Sequence, residues 1–349
     1  MGTYRAMVVH REGDALVRRL ETLNSSDLPA GEVLIEVHYS SLNYKDGLSA
    51  TGNPGVTRAF PHTPGIDASG VVLESAAPEF SAGDEVIVIG FDLGMGTAGG
   101  FGERIRVPAG WVVPRPEGLS LRASMALGTA GFTAAECVDK LESMGGLSPA
   151  QGPVLVTGAT GGVGSVAVML LSQLGYEVVA VTGKAEKGEW LKGLGASKVL
   201  SREELAEGAG KPLLAERYAG AVDTVGGELL FNAVKSLRYG GSLAACGLVA
   251  SPAIPATVLP FILRHVNLLG IDSVQWPLAE KKRLWGRLAK EWQLPALETL
   301  VEPLSLETLS DALDRRQEFS QASGFVRQLM FVEKFDEDLT DFEDRLETS

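Results

Sequence analysis

V154-L-V-T-G-A-T-G-G-V-G-S-V-A-V-M-L-L-S-Q-L-G175 is the stretch on which the fold turns. Its opening V-L-V, entered through Pro153, reads as a short apolar strand, and S165-V-A-V-M-L-L-S-Q-L-G175 as a helix ending in glycine. Between them T157-G-A-T-G-G-V-G164 places Gly158, Gly161 and Gly164 at a spacing of three. Glycines let a backbone turn tightly and approach a pyrophosphate, whose charge the amides and the positive end of the helix dipole then hold. A second strand, E177-V-V-A-V-T182, follows the helix. That strand–turn–helix–strand context separates a dinucleotide site from an ordinary structural turn.

Outward from this unit the alternation continues, with a helix at E186-K-G-E-W-L-K-G-L-G195 and strands at K198-V-L, A221-V-D-T-V, G241-S-L-A-A-C-G and N267-L-L-G-I-D-S. Strands alternating with helices predict a doubly wound parallel sheet of Rossmann type. The first third is different. Its β-rich segments A6-M-V-V-H, V33-L-I-E-V-H-Y, G70-V-V-L-E, D84-E-V-I-V-I and R104-I-R-V predict a small antiparallel barrel or sandwich. From Ser120 the texture becomes helical, with a glycine interruption near the start of L121-R-A-S-M-A-L-G-T-A-G-F-T-A-A-E-C-V. A helix at S305-L-E-T-L-S-D-A-L-D-R-R and a strand at F325-V-R-Q-L-M-F close the pattern. The strand is expected to rejoin the first domain. Residues 1–126 and 300–349 then form a discontinuous catalytic domain and residues 127–299 the dinucleotide-binding domain.

A dinucleotide site that prefers NAD places an acid at the end of the second strand, on the ribose 2′-hydroxyl. Here Thr182, Gly183 and Lys184 stand there. A hydroxyl and an ammonium suit a 2′-phosphate, so NADPH is the expected cofactor. Lys187 and Arg202 are further candidates, although each base read alone is equally an ordinary solvated side chain.

Composition bounds the rest. A 349-residue chain that is 45% hydrophobic and 21% charged buries a sizeable core and suggests two domains. A formal charge of -13 disfavours nucleic acid or an anionic membrane as partner. Of that charge, -6 lies from Glu333 onward, an acidic tail read as a solvated appendage. The opening M-G-T-Y-R-A-M-V-V-H lacks the pattern of a signal peptide, and no apolar run reaches the length of a membrane span. Cys137 and Cys246 are expected as reduced thiols in a cytoplasmic protein.

S40-S-L-N-Y-K-D46, F60-P-H-T-P-G-I-D-A-S-G70, G99-G-F-G-E-R-I-R-V107, G128-T-A-G-F-T-A134, the glycine turn, Y239-G-G-S-L-A-A-C-G-L248, L259-P-F-I-L-R264 and L269-G-I-D-S-V274 occur in one order. In that order the chain, over about residues 4–330, resembles the zinc-free medium-chain dehydrogenase/reductase superfamily. Within it the match is to the acryloyl-CoA reductase branch, the YhdH/AcuI-type quinone oxidoreductases. Zinc-dependent relatives hold their metal near a Gly-His-Glu segment, where this chain has G65-I-D with Ile66 in the ligand position. Four histidines, His10, His38, His62 and His265, and two distant cysteines offer no metal-ligand spacing, so no metal is expected.

The resemblance implies a GroES-like catalytic domain, a Rossmann domain, NADPH and a homodimer. It implies cofactor contacts at Tyr44, Thr160, Gly161, Gly162, Val163, Thr182, Lys184 and Arg202, with Gly183 between the last strand residue and the lysine. Leu248, Ile262 and Ser273 would line the nicotinamide side. Arg327 is similar to an arginine of the family's last strand, although Val326 replaces the usual preceding glycine. Reduction of an α,β-unsaturated thioester needs hydride at the β-carbon, a donor for the enolate oxygen and a proton at the α-carbon. Asn43 is the candidate donor to the oxyanion or ribose; Tyr44 would order nicotinamide and substrate and is a candidate proton source. Lys45 and Asp46 could pair structurally, and Arg327 could fix an anion. E280-K-K-R-L-W-G-R287 is either part of a basic groove for coenzyme A or the wet face of a helix. Beside the enoyl-CoA reductase reading stand an NADPH-quinone or general enone oxidoreductase and a non-catalytic NADPH-binding protein.

Overall fold

The computed structural model describes residues 2–314 and 329–333. It opens on a hairpin of β1 (Thr3–Glu12) and β2 (Ala15–Asn24), antiparallel from Thr3 opposite Asn24 to Glu12 opposite Ala15. Tyr4 and Ala6–Val9 anchor β1 in the interior, whereas no residue of β2 is buried. That lack of burial is why β2, with two arginines and irregular apolar spacing, is missing from the sequence-based expectation.

Then come β3 (Val33–Leu42), helix α1 (Tyr44–Ala50), β4 (Asp67–Ser75), β5 (Glu85–Ile89), β6 (Arg104–Val107) and β7 (Val112–Pro114). Helix α2 (Leu121–Ser143) starts at Ser120, whose Oγ accepts the Ala123 amide at 3.0 Å. Near its start α2 breaks at Gly128, which adopts φ 52°, ψ -160°. A Cβ built there would lie 2.3 Å from Ser41 Oγ and 2.8 Å from Asp67 Oδ2, so only glycine admits this close, left-handed kink.

The alternation is β8 (Val154–Val156), α3 (Gly162–Gln173), β9 (Val178–Thr182), α4 (Gly188–Gly193), β10 (Lys198–Ser201), α5 (Arg202–Ala206), β11 (Tyr218–Asp223), α6 (Gly227–Lys235), β12 (Leu237–Ala245), α7 (Leu259–Arg264), β13 (Asn267–Gly270) and α8 (Leu278–Leu288). The strands form one parallel sheet in the order β10-β9-β8-β11-β12-β13. That order reverses direction between β8 and β11, the switch point at which doubly wound sheets bind ligands. Alternate residues serve opposite faces: Val154, Val156, Val178 and Ala180 pack into one apolar cluster, Leu155, Val179 and Val181 into another.

The last strands, β14 (Val301–Leu304) and β15 (Leu329–Glu333), return to the first sheet, where β15 runs antiparallel to β3 with Met330 opposite Leu42. The order there is β14-β15-β3-β4-β5-β7, with β6 also on β3. The larger apolar cluster spans both sheets, since Ile87, Ile89 and Val113 join α2, α3, Trp285 and Trp292 in it. The fold is thus α/β, a β-rich GroES-like part with a doubly wound part. Arg327 and the acidic tail beyond Glu333 lie outside the described residues.

Candidate active site

The glycine turn sits at the carboxyl edge of the parallel sheet. Helix α3 begins at Gly162, three residues before the predicted Ser165, with Gly161 as its N-cap. Its first turn therefore includes Val163 and Gly164, whose amides have no partner within the helix. A Cβ on Gly164 would meet the Gly158 carbonyl at 2.3 Å, which explains how closely turn and helix approach. Behind the turn Thr157 Oγ1 donates to Asp223 Oδ1 at 2.6 Å and accepts the Thr224 amide at 3.1 Å, tying β8 to β11 across the switch point.

The end of β9 closes onto the same turn. Thr160 Oγ1 and Thr182 Oγ1 are 3.4 Å apart, and Thr182 Oγ1 also accepts the Lys184 amide at 3.1 Å. Arg202, the first residue of α5, folds over Gly183, where an added Cβ would lie 2.7 Å from its Nε. Burial, joined by repulsion from Lys187 and Arg202 and opposed by Glu186, holds the Lys184 ammonium below the usual lysine range. Lys184 and Arg202 thus stand beside Thr182 and Gly183, with Lys187 close enough to act on Lys184 by its charge. Concentrated positive charge of this kind is relieved by a multiply charged anion.

A second polar constellation lies in the β-rich part, where strand β4, the end of β3, α1 and the kink of α2 meet. Asp67 is fully buried. Its Oδ2 accepts the Ser41 hydroxyl, Asn43 Nδ2 at 2.8 Å and the Thr129 amide at 2.7 Å; its Oδ1 accepts Thr129 Oγ1 at 2.5 Å. Burial raises its pKa, against the pull of these donors. Asp46, equally buried, accepts the Asn43 amide at 2.6 Å and the Ile66 amide at 2.9 Å. Burial, with a contribution from Asp67, pushes it up to about 7.

Two expectations change here. Asp46 turns inward to backbone amides, and among the described residues no ion pair joins it to Lys45. Asn43 Nδ2 donates to Asp67, with Ser41 O at 3.2 Å and Ser41 Oγ at 3.3 Å beside it. Asp67 is thus the nearest acceptor of the Asn43 amide, an anchor that the sequence did not show. Tyr44, half-buried, heads α1 immediately after this anchor.

Of the three residues expected to line the nicotinamide, Leu248 and Ile262 are exposed, whereas Ser273 is buried with its Oγ 2.8 Å from Thr133 Oγ1. The basic run on α8 is not a free groove. Arg283 and Arg287 are both tied to Asp139, at 2.6 and 2.7 Å, and Lys281 is fully buried. Sequence reasoning gave no role to Asp67, Thr129 or Glu136, and it took Lys281 only as one of a basic run, whereas all four are interior polar groups.

The model for the alcohol dehydrogenase GroES-like domain matches residues 29–117, and that for the zinc-binding dehydrogenase matches residues 162–290. Acrylyl-CoA reductase AcuI of Ruegeria pomeroyi is 46% identical over 308 residues, covering 88% of this chain and 93% of that protein. The chain belongs to the medium-chain dehydrogenase/reductase superfamily, in that branch. A second relative of the branch, named putative quinone oxidoreductase YhfP of Bacillus subtilis, is 46% identical over 311 residues, 89% of this chain and 94% of that protein. The B. subtilis yhfP structure with NAD bound superposes with a TM-score of 0.92 at 43% identity, over 96% of this chain and all of the other. The Salmonella enterica yhdH oxidoreductase in complex with NADP gives 0.90 at 42% identity, over 95% and 100%.

Although one matched model is named for zinc, this branch member presents no group of three His, Cys, Asp or Glu able to hold a metal among its described residues. Ile66, in the expected ligand position, is buried with its amide on Asp46.

Glu136 on α2 carries a measurable consequence. It is buried, Oε1 accepts the Asp272 amide at 3.3 Å, and Oε2 has no hydrogen-bond partner. Burial pushes its pKa up to about 7 from an ordinary 4.5. Between these values the folded chain binds the proton more tightly than the unfolded chain, so stability falls as pH rises from about 4.5 to 7 and stays lost above. For Glu136 this amounts to roughly 3 kcal/mol. Glu136→Gln should therefore match the wild type near pH 5 and melt higher at pH 8, checked by thermal denaturation across that range. Parallel curves would contradict this.

Proposed function

We propose that the chain is a zinc-independent, NADPH-dependent oxidoreductase that reduces the carbon–carbon double bond of acryloyl-CoA or a similar short enoyl-CoA. The observation that carries the cofactor choice is Lys184 and Arg202 beside Thr182 and Gly183, with the charge of Lys187 nearby, at the place where an NAD site keeps a carboxylate. The enoyl-CoA choice is supported by the likeness to the reductase of R. pomeroyi.

The cofactor, when bound, supplies the hydride. The chain's residues bind, orient and polarise. Amides of Gly161, Gly162 and Val163 with Thr160 hold the pyrophosphate, and Thr182, Gly183, Lys184 and Arg202 the 2′-phosphate end. Leu248, Ile262 and Ser273 line the nicotinamide side. Asn43, anchored on Asp67, fixes the start of α1 and is assigned to the oxyanion or the ribose; Tyr44 orders nicotinamide and thioester and is assigned as the proton source. Arg327 is assigned to a substrate or cofactor anion. Residues 1–126 with 300–349 form the catalytic domain and 127–299 the Rossmann domain; the pairing of β15 with β3 supports that division.

A homodimer is part of the same reading. Strand β13 is the edge of the parallel sheet, and Leu268 on it, with Val258, Ile262 and Leu263 nearby in the chain, leaves apolar side chains exposed. Sedimentation should give twice the chain mass; a monomer would contradict the assignment. No helix among the described residues is long and apolar enough to cross a membrane, and both thiols are free, which fits a cytoplasmic location.

The second reading, a quinone or general enone reductase, is favoured by the name of the B. subtilis relative. Initial rates of NADPH and NADH oxidation with acryloyl-CoA, crotonyl-CoA and a benzoquinone separate the two. Acryloyl-CoA should exceed the quinone in kcat/KM by about a hundredfold or more. The reverse order would transfer the chain to the second reading, and no turnover with any acceptor would leave only a nucleotide-binding protein.

A further inference from the structure

Lys281 on α8 is a fully buried lysine. An ammonium taken out of water is strongly penalised unless its protons and charge are met. Here they are met from both parts of the molecule. Nζ donates to the Ile89 carbonyl at 2.9 Å and the Val274 carbonyl at 3.0 Å, and lies 3.8 Å from the centre of the Phe91 ring. The carboxylates acting on it are Asp67, Asp272 and Glu136; burial holds its pKa down at about 8.

The partners matter because of what they carry. Ile89 is the β5 residue directly opposite Asp67 on β4. Val274 follows Ser273, and its carbonyl also accepts the Phe91 amide at 3.0 Å. Phe91 holds a left-handed φ of 51° and stacks on Trp111 with ring centres 5.6 Å apart. A parallel polar line runs from Asp67 to Thr129, from the Thr129 carbonyl to Thr133 Oγ1 at 2.6 Å, and from Thr133 to Ser273. Both lines begin at the Asp67 site and end on residues 273–274.

We propose that Lys281 is a positioning residue for hydride transfer: its ammonium pins the segment carrying Ser273 to the strand paired with Asp67, and so sets the spacing between the nicotinamide wall and the catalytic-domain wall. This rests on the reading of the crevice as an NADPH-dependent reductase site. A purely structural lysine would be replaceable by an apolar side chain of similar length with a change in melting temperature alone. A positioning lysine is not, because an ångström of misplacement between reacting groups is costly in rate. The adenosine end of the cofactor site, at β9 and β10, lies at the opposite side of the sheet from β13 and is untouched by the pin.

The test compares wild type, Lys281→Met and Lys281→Arg in NADPH-dependent reduction of acryloyl-CoA, with the isotope effect of NADPH deuterated at the transferred position. Amide exchange of Phe91 is followed without substrate. Lys281→Met should lower kcat about tenfold or more, leave the KM for NADPH within about twofold, raise the isotope effect and speed exchange at Phe91. Lys281→Arg, which keeps a cation, should recover part of kcat. A kcat within about twofold of wild type, with an unchanged isotope effect, would overturn the proposal. Should the Met variant not fold, the Arg variant decides: a raised isotope effect at unchanged KM supports the pin, and wild-type behaviour refutes it. If wild type itself fails to turn over this pair, the fault lies with the assigned reaction. The exchange measurement then decides alone, unchanged exchange at Phe91 sinking the pin.

Discussion

Lys184→Asp is expected to raise the KM for NADPH by about a hundredfold while moving that for NADH by less than about threefold. The wild-type ammonium is partly buried and crowded by Lys187 and Arg202, a state that holds its pKa down. A 2′-phosphate would relieve that crowding, and charge-assisted hydrogen bonds to such a group are worth about 1.5–3 kcal/mol each. An aspartate both removes one and sets a carboxylate against the phosphate. NADH has only a hydroxyl there, which a carboxylate accepts readily, so its binding has little to lose. Steady-state kinetics with both coenzymes test the point. Equal effects on the two would show that Thr182 to Lys184 do not face the adenosine ribose.

The second large effect belongs to Asp67. Asp67→Asn keeps the shape and one acceptor oxygen but turns an NH2 group toward donors that the carboxylate now accepts: the Ser41 hydroxyl, Asn43 Nδ2 and the Thr129 amide and hydroxyl. At least one buried donor loses its partner whichever way the amide is flipped. The start of α1 and the kink at Gly128 are both held by these bonds, so Tyr44 and the wall formed by α2 lose their register. A fall in kcat of about a hundredfold is expected, with the KM for NADPH nearly unchanged, since the adenosine end is held elsewhere. A variant with wild-type kcat would remove Asp67 from the reaction geometry.

The division between what was legible and what was not follows from locality. The glycine turn, β8 and the start of α3 form a contiguous stretch whose backbone needs are written in its own residues, and the cations follow the ends of β9 and β10. Strand β2 and helix α1 escaped, the first because none of its side chains is buried and the second because seven residues are too few for helical periodicity to show. Asp67 sits in a strand amid small and apolar residues, Glu136 on an apolar helix and Lys281 in a basic run that resembles a solvated surface. Each is turned inward by contacts across 24 to 192 positions of sequence, as in Asn43 to Asp67 and Lys281 to Ile89. No local pattern encodes such contacts. The same limit hid the contact of Asn43 Nδ2 with Asp67, 24 positions away.

Titration calorimetry of the wild-type chain with NADPH and with NADH probes the central claim most directly, that a phosphorylated adenosine is selected by charge at the ends of β9 and β10. NADPH should bind at least about thirtyfold more tightly, a difference of about 2 kcal/mol that shrinks as salt is raised. Equal affinities, or no heat with NADPH, would contradict it.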